Sequence, residues 1–526
     1  MEGFPVISAI ILSPLIGVII LLFVDDRRIS LVRAIAVVST LIPLVLSLYL
    51  LFAYDKEAGG YQFVEKIEWV RSLGVSYHVG VDGINISMVL LTSIVIFTGV
   101  FVSWTGVKHR IREHYIFLLL LVTGVFGVFT SLDLLFFLLF YELAVIPMYP
   151  LIGIWGSANR EYATMKLTLY LSLGGLIALL GVLSIYFVAG SMTGVYTFDM
   201  VQIGQLAFER GYQIKVFLPL LLGFGVLVPL APFHSWSPIG HAAAPSAVSM
   251  LHAGVLMKLG AFGILRIAMG LLPEGAQFWM PVVAILCLIN IFYGGMVAMA
   301  RRDMKFMIGY SSSSHMGYVL LGLATINYIG VNGAVLLMFA HGIMTALAFS
   351  LIGYVYDQAH TRMMYDFSGL AKKLPFVAFS FALMGFASSG LPGLANFAAE
   401  IMVFIGAFKD YPLQAVIAIF GIIMTATYML RAIRDVFFRE PQSRWDGLRD
   451  AESFVERFPF VILMLVLLIV GLYPAVLVDL INSGVVPLVD NINGGAIAEV
   501  VNHAVGAAST AGAAGVEAAG HAAGAH

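Results

Sequence analysis

The sequence predicts an all-α integral membrane protein of about 14 transmembrane helices, and three observations predict it. Of 526 residues, 60% are hydrophobic and only 11% charged. The mean hydropathy is +0.97, more apolar than the surface of a soluble domain tolerates. Apolar runs of about 20 residues, the length that crosses a bilayer, recur along the whole chain. Five ionisable side chains, Glu142, Lys258, His315, His341 and Glu400, lie inside such runs. A charge at bilayer depth costs roughly 2.5–3.5 kcal/mol on an insertion scale, so it persists where it faces protein or water and marks an ion or proton path. The function class is therefore transport.

In chain order the spans fall near 5–24, 32–53, 84–106, 115–132, 134–155, 167–189, 214–233, 245–270, 279–299, 304–325, 331–354, 376–407, 412–432 and 458–482. The first, MEGFPVISAIILSPLIGVIILLF, lacks a basic n-region and a small-residue cleavage site, and reads as a retained span rather than a signal peptide. Short cytoplasmic loops should hold the lysines and arginines. Arg27, Arg28 and Arg33 follow span 1, and Lys108, Arg110 and Arg112 follow span 3. Arg160 and Lys166 follow span 5, Arg301, Arg302 and Lys305 span 9, and Arg362, Lys372 and Lys373 span 11; six arginines from Arg431 to Arg457 follow span 13. The even-numbered loops carry only Lys56, Lys66, Arg71, Arg210, Lys215 and Lys409, so both termini are expected on the non-cytoplasmic side of the cell membrane.

Between spans 2 and 3, the alternating EKIEWV and VSYHVGV around Trp69 predict a small hairpin outside the membrane. The charged stretch 433–457 reads as an interfacial or cytoplasmic segment. From 483 to 526 the chain is an Ala/Gly-rich low-complexity tail, a weak helix or disordered.

Two spans are interrupted. Span 7 runs into VLVPLAPFHSW with Pro229 and Pro232, and span 12 carries ASSGLPGLANF with Gly390, Pro392 and Gly393. Proline removes an intrahelical hydrogen bond, and the freed backbone groups are tolerated at depth only beside protein or water. Five spans separate the breaks, which predicts two inverted five-helix repeats with the ion path near each break. The expected organisation is 1–114 (spans 1–3 with a non-cytoplasmic loop), 115–270 (spans 4–8), 279–432 (spans 9–13), 433–482 (interfacial segment and last span) and 483–526 (the tail).

Glu142 follows eight apolar or aromatic residues, and a buried carboxylate without a partner takes up a proton; a structural hydrogen bond to a carbonyl is the other reading. Lys166, at the start of span 6, is expected either to reach Glu142 from an adjacent helix or to act as a positive-inside anchor. Lys258 lies mid-helix, too far from either end to snorkel, and lysine changes protonation readily when buried. His252 would extend its polar line along the helix. His315 and His341 suit relay between distant acids and bases, or are satisfied buried hydrogen-bonding groups. Glu400 stands eight residues beyond Pro392. His234, His241 and Tyr310 are expected as wet lining near the cytoplasmic side. Asp133, Arg266, Asp303 and Lys305 read as loop anchors.

No His/Asp/Glu cluster has metal-ligand spacing. The single cysteine, Cys287, builds neither a disulfide framework nor a thiolate site, so any redox centre lies in another chain. A net charge of -2 gives no reason to expect nucleic acid.

The stretches DLLFFLLFYELAVIPMY, REYATMKLTLY, PLAPFHSWSP, APSAVSMLHAGVLMKLGAFGILR, RRDMKFMIGYSSSSHMGYVLLG, MFAHGIMTALAF and GLPGLANFAAE, in this order, resemble the antiporter-like membrane subunits of respiratory complex I, NADH-quinone oxidoreductase, and most of all the subunit M (chain 4) type. The M type rests on a glutamate rather than a lysine in span 12, and on 14 spans without a long lateral helix. The resemblance implies redox-driven proton pumping with no cofactor in this chain. Flavin, iron–sulfur clusters and quinone would belong to partner subunits, and two antiporter-like subunits would be its neighbours in the bilayer. It implies a proton relay through Glu142, Lys166, Lys258, His315, His341 and Glu400, with Glu142 answering the neighbouring subunit and Glu400 facing the exit. Two positions depart from the family's pattern. Leu227 stands where a lysine usually pairs with the span 5 glutamate, and SWSPIG lacks the usual aspartate. The alternatives are a subunit of a multisubunit cation/proton antiporter or of a membrane-bound hydrogenase, or a divergent copy with altered pumping.

Overall fold

The computed structural model describes residues 4–157 and 159–494. Among them, eleven helices are long and apolar enough to cross a membrane, and Val6–Leu22 and Pro375–Ser388 are shorter apolar helices. The chain is an all-α membrane protein with one β-hairpin among the described residues.

It begins with α1 (Val6–Leu22), α2 (Ile29–Ala53), strands β1 (Gln62–Val70) and β2 (Val75–Val81), and α3 (Gly83–Gly106). The first five-span segment is α4 (Ile111–Thr130), α5 (Leu134–Val145) with α6 (Met148–Trp155), α7 (Arg160–Thr193), the short α8 (Met200–Ile203), α9 (Arg210–Leu227) with α10 (Trp236–Ala243), and α11 (Ser246–Leu251) continuing into α12 (Met257–Gly263). The second is α13 (Pro273–Ala300), α14 (Met304–Ala324), α15 (Tyr328–Ala359), α16 (Pro375–Ser388) with α17 (Ala395–Asp410), and α18 (Pro412–Phe437). The chain closes with α19 (Phe454–Leu472) and α20 (Ala475–Gly494).

The ends of the chain differ from expectation. The predicted last span at 458–482 is two helices, because α19 ends at Tyr473 and Pro474 cannot continue its hydrogen bonding. The first residues of the expected tail, 483–494, belong to α20; the rest of that tail lies outside the described residues. A stripe of Leu477, Ile481, Val485, Leu488 and Ile492 faces inward, at the spacing of an amphipathic helix. Its polar residues tie it across the ends of two spans: Asn332 Nδ2 donates to Asn482 Oδ1 (2.8 Å) and Asn491 Nδ2 to the Gly270 carbonyl (3.2 Å). Gly83 is required here, since the Leu480 carbonyl occupies the space of a Cβ.

The predicted hairpin forms, β1 pairing antiparallel with β2, and its charged side chains fasten it. Glu65 accepts from the free amides of Ile7 (2.9 Å) and Ser8 (3.2 Å) at the start of α1, as a helix N-terminus prefers. Lys66 and His78 meet Asp199 at 2.6 and 3.2 Å.

One connection pattern occurs twice. Asp133 caps α5 and Asp303 caps α14, each accepting from the two amides that follow. The loop after the third helix of each segment pairs beside that cap: Leu134 donates to Phe198 and Met200 to Leu132, while Met304 donates to Arg362 and Met364 to Arg302. The two caps lie at opposite ends of the bundle, because α5 and α6 run from Asp133 to Ser157, and Ser157 contacts Arg362, the partner of Asp303. A repeat turned over in the membrane places its loops this way.

The helices are sorted by burial. α3, the α11–α12 span, α14 and α15 are almost wholly enclosed, whereas α2, α7, α13, α18 and α19 turn apolar faces outward. The polar residues, including the four serines 311 to 314, are carried mainly by the enclosed helices.

Burial raises the Asp199 carboxyl, but hydrogen bonds and charge from His78 and Lys66 outweigh it and hold Asp199 well below the usual carboxylate range. A depressed folded-state value contributes stability above the ordinary range, near pH 4, and that contribution is lost as pH falls through the depressed value. Acidification below about pH 4 should therefore lower the amide-exchange protection factors of β1 and β2, and Asp199→Asn should do so at neutral pH. Unchanged hydrogen exchange in both would remove Asp199 as the fastening.

Candidate functional site

The two broken spans are built around specific polar partners. In span 7, α9 stops at Leu227 and α10 starts at Trp236. Asn290 of α13 fills the gap: its Oδ1 accepts from Ala231 N (2.6 Å), and its Nδ2 donates to the Pro229 and Ser313 carbonyls (2.7 and 3.2 Å). Trp236 Nε1 returns to the Val226 carbonyl (2.9 Å). In span 12 the chain turns between α16 and α17 through Gly390 and Gly393, both in the left-handed region that favours glycine (φ 69° and 91°). Glu400 Oε2 sits where a Cβ on Gly390 would go.

Span 8 is irregular where it carries its lysine. Wide π turns at His252–Leu256 and Ile264–Met269 flank Met257–Gly263, and such turns concentrate at functional sites. Lys258 is fully buried. Its Nζ donates to the Ala253 carbonyl and lies 2.9 Å from His341 Nδ1. An ammonium only donates, so a charged Lys258 requires His341 Nδ1 to accept. The contact holds one proton that belongs to either group.

From His341 the line continues to His315, with ring centres 5.1 Å apart. His315 Nδ1 faces the Ser311 carbonyl at 2.9 Å and Nε2 the Ser388 carbonyl at 3.2 Å. Carbonyls only accept, so both bonds form together only when both ring nitrogens carry protons. Glu400 Oε1 stands 3.6 Å from the same Nε2. Lys258, His341, His315 and Glu400 thus form a contiguous buried line from the π turn of span 8 to the break of span 12.

His252 and His241 continue the polar cluster on the other side of Lys258. Their ring centres are 4.1 Å apart, and His252 stacks on Trp236. His241 Nε2 contacts Ser237 Oγ (3.0 Å) and Met257 Sδ (3.2 Å). His241 lies in the last turn of α10, whose terminal carbonyls are crowned by two cations: Arg362 donates to Ala242 (2.6 Å) and Lys305 to Ala244 (2.8 Å), as a helix C-terminus favours. Lys305 Nζ is buried in the wall of a cavity of about 170 Å³ that Ser103, Ser157, Tyr356 and Asp357 also line. The expectation that Lys305 is a loop anchor is corrected here, because it turns inward under α10. The anchor is Asp303, which caps α14 and pairs with Arg362 at 2.6 Å.

The remaining expected residues stand apart. Glu142 is half-buried at the outer surface, its carboxylate against Gly175 of α7, beside exposed Leu139, Ile146 and Tyr149. Lys166 does not pair with it. The ammonium lies 5.7 and 5.8 Å from the rings of Tyr162 and Tyr170, and the Lys166 backbone is nine residues, a rise of about 13.5 Å along α7, before Gly175. His234 is half-buried with its ring against Tyr293, and Tyr310 accepts from Arg301 at 3.3 Å; neither touches the buried line. Leu227 is fully buried in the apolar core, where Gly260 lets α12 approach the end of α9 without room for a Cβ. Among the described residues, no group of three His, Cys, Asp or Glu is placed to hold a metal ion.

Residues 131–425, which contain both breaks, Glu142 and the whole line from Lys258 to Glu400, match the family described as NADH:quinone oxidoreductase/Mrp antiporter, TM. The chain belongs to this family. NADH-quinone oxidoreductase subunit M of Rickettsia bellii is 35% identical over 91% of this chain and 98% of its own length. F(420)H(2) dehydrogenase subunit M of Methanosarcina mazei is 35% identical over 90% and 96%. A chain of respiratory complex I from Thermus thermophilus superposes with a TM-score of 0.83 at 28% identity, covering 92% of this chain and 99% of that one. Family membership makes this an antiporter-like, multi-pass membrane subunit, and these relatives are subunits of multisubunit complexes.

Replacing Asn290 by leucine keeps the volume and leaves the amide of Ala231 and the carbonyls of Pro229 and Ser313 short of a partner. Each buried unpaired group costs about 1–3 kcal/mol, so Asn290→Leu should lower the thermal midpoint of the purified assembly by several degrees. Asn290→Asp, which keeps only the acceptor, should fall between. Equal midpoints would show that the break is held by packing alone.

Proposed function

We propose that this chain is a proton-translocating subunit of the M type in an NADH-quinone oxidoreductase, coupling quinone reduction in its partners to proton movement through its own centre. The observation that carries this reading is the buried line Lys258, His341, His315 and Glu400, in which each group gains or releases a proton near neutral pH when its surroundings are tuned. The cavity beside Lys305 and Asp357 supplies uptake from the cytoplasmic side, His241 and His252 lead toward Lys258, and Glu400 releases across the break of span 12. A proton reaching His315 is held by two carbonyls and a carboxylate until Glu400 accepts it.

Glu142 lies at the outer surface, where a neighbouring antiporter-like subunit can approach it, which supports a sensing role. Lys166 then acts on Glu142 only through the field or through rearrangement. Redox chemistry belongs to partner chains carrying flavin, iron–sulfur clusters and quinone. The complex sits in the inner (cell) membrane with both termini on the non-cytoplasmic side. The family also supports a second reading, a subunit of a cation/proton antiporter or of a membrane-bound hydrogenase. Leu227 favours a variant in which the span 7 cation has been given up and Glu142 is read out differently.

Purification of the native complex in mild detergent, with mass spectrometry and an NADH-to-quinone assay, should find flavin and iron–sulfur subunits. Small membrane partners alone would move the chain to the antiporter class. In membrane vesicles, Lys258→Met and Glu400→Gln should each abolish NADH-driven proton translocation while the complex still assembles; normal pumping by either variant would take that residue out of the path. Leu227→Lys should leave the protein inserted and alter pumping, whereas failure to insert would mark the position as dry packing only.

A further inference from the structure

The break of span 12 holds two polar side chains that the proton line has not used. Asn396, the second residue of α17, is fully buried, and neither its Oδ1 nor its Nδ2 has a hydrogen-bond partner among the described residues. Ser388, the last residue of α16, is buried with an unpartnered Oγ. A carboxamide at this depth without partners is expensive, and apolar residues would serve packing better. Capping does not account for Asn396, since no side chain caps the start of α17.

Its placement does account for it. Asn396 is four residues before Glu400 on one helix, so both side chains project from the same face about 6 Å apart. Ser388 approaches from the facing half-helix, its carbonyl on His315 Nε2, which is also the nitrogen nearest Glu400. Gly390 closes the turn against Glu400 Oε2 and, lacking a Cβ, leaves the carboxylate its space. Asn396, Ser388, His315 and Glu400 thus gather at one break, with three side-chain atoms of Asn396 and Ser388 left without a protein partner among the described residues, and water is the usual partner of such buried groups.

We propose that Asn396, with Ser388, is the positioning residue for proton release from Glu400: the two hold the first water of the outlet against the carboxyl. This rests on the proton-translocation reading above. In the step, the O–H bond of the Glu400 carboxyl breaks and one forms on that water, giving hydronium. The hydronium passes its proton to the next water outward, and Glu400 is reprotonated from His315. Asn396 and Ser388 only accept and donate hydrogen bonds, so neither changes its proton count.

The test uses membrane vesicles bearing the whole complex, energised by NADH, with proton translocation, electron transfer and complex content measured together. Asn396→Leu should lower translocation per complex by about tenfold or more, the lower end for a group that positions a transferred proton, and enlarge its solvent deuterium isotope effect. Asn396→Ser should restore most of it, and Ser388→Ala should show the same defect in milder form. Normal pumping and an unchanged isotope effect in Asn396→Leu would overturn the proposal. So would a loss tracking complex content, with Ser388→Ala normal, which is what a packing role gives. If Asn396→Leu does not assemble, the isotope effect in Ser388→Ala and Asn396→Ser decides. Glu400→Gln separates the two layers: normal pumping there would remove the underlying reading, whereas a block there with Asn396→Leu unaffected would remove only this one.

Discussion

A lysine with no solvent exposure, deep between wholly enclosed helices, constrains the rest of this structure. Lys258 can be held there only with its nitrogen bonded, and its partners are a backbone carbonyl inside a π turn and the ring of His341. The π turn exists because the helix gives up regular hydrogen bonding at that point. The carbonyl it offers would otherwise be spent on the helix itself. His341 in turn packs its ring against His315, both of whose nitrogens face backbone carbonyls. Lys258, His341, His315 and Glu400 follow one another as a line, bonded or in ring contact at each step.

The broken spans follow the same rule. Membrane depth allows an interrupted helix only where protein or water satisfies the freed backbone, and here the satisfying groups come from other spans. Asn290 in the second five-span segment closes the break of the first. His315 in α14 takes the carbonyl at the end of α16. The first break is thus tied to the second segment through Asn290, and the second to the buried line through His315.

Glu142 shows what happens outside this interlock. It is half-buried against Gly175 and far from the cations that the enclosed helices provide. With leucine at 227, the inner side of α9 offers it no charge. No direct ion pair joins this outer carboxylate to the central lysine among the described residues.

The sequence by itself determined that the chain is a multi-pass helical membrane protein, where two spans break, that a hairpin joins the second and third helices, and which family the chain belongs to. Hydropathy, proline and motif spacing are local, and local information suffices for them. It also marked the ionisable residues in apolar runs, because a charge in such a run is rare in itself. It did not fix their partners. Lys166 had two readings, a partner for Glu142 or a positive-inside anchor, and its ammonium lies beside Tyr162 and Tyr170 instead of the carboxylate. Lys305 had the surroundings of an anchor and turned inward, since two positions in one helical turn point in different directions. Asn290 and Asn396 carried no signal, being neutral polar residues whose meaning depends on which backbone faces them. The last span was read as one helix because Pro474 lies within an otherwise apolar run. Only the tertiary structure shows partners, because hydrogen bonds between spans depend on rotation and height about each helix axis, which local sequence patterns do not report.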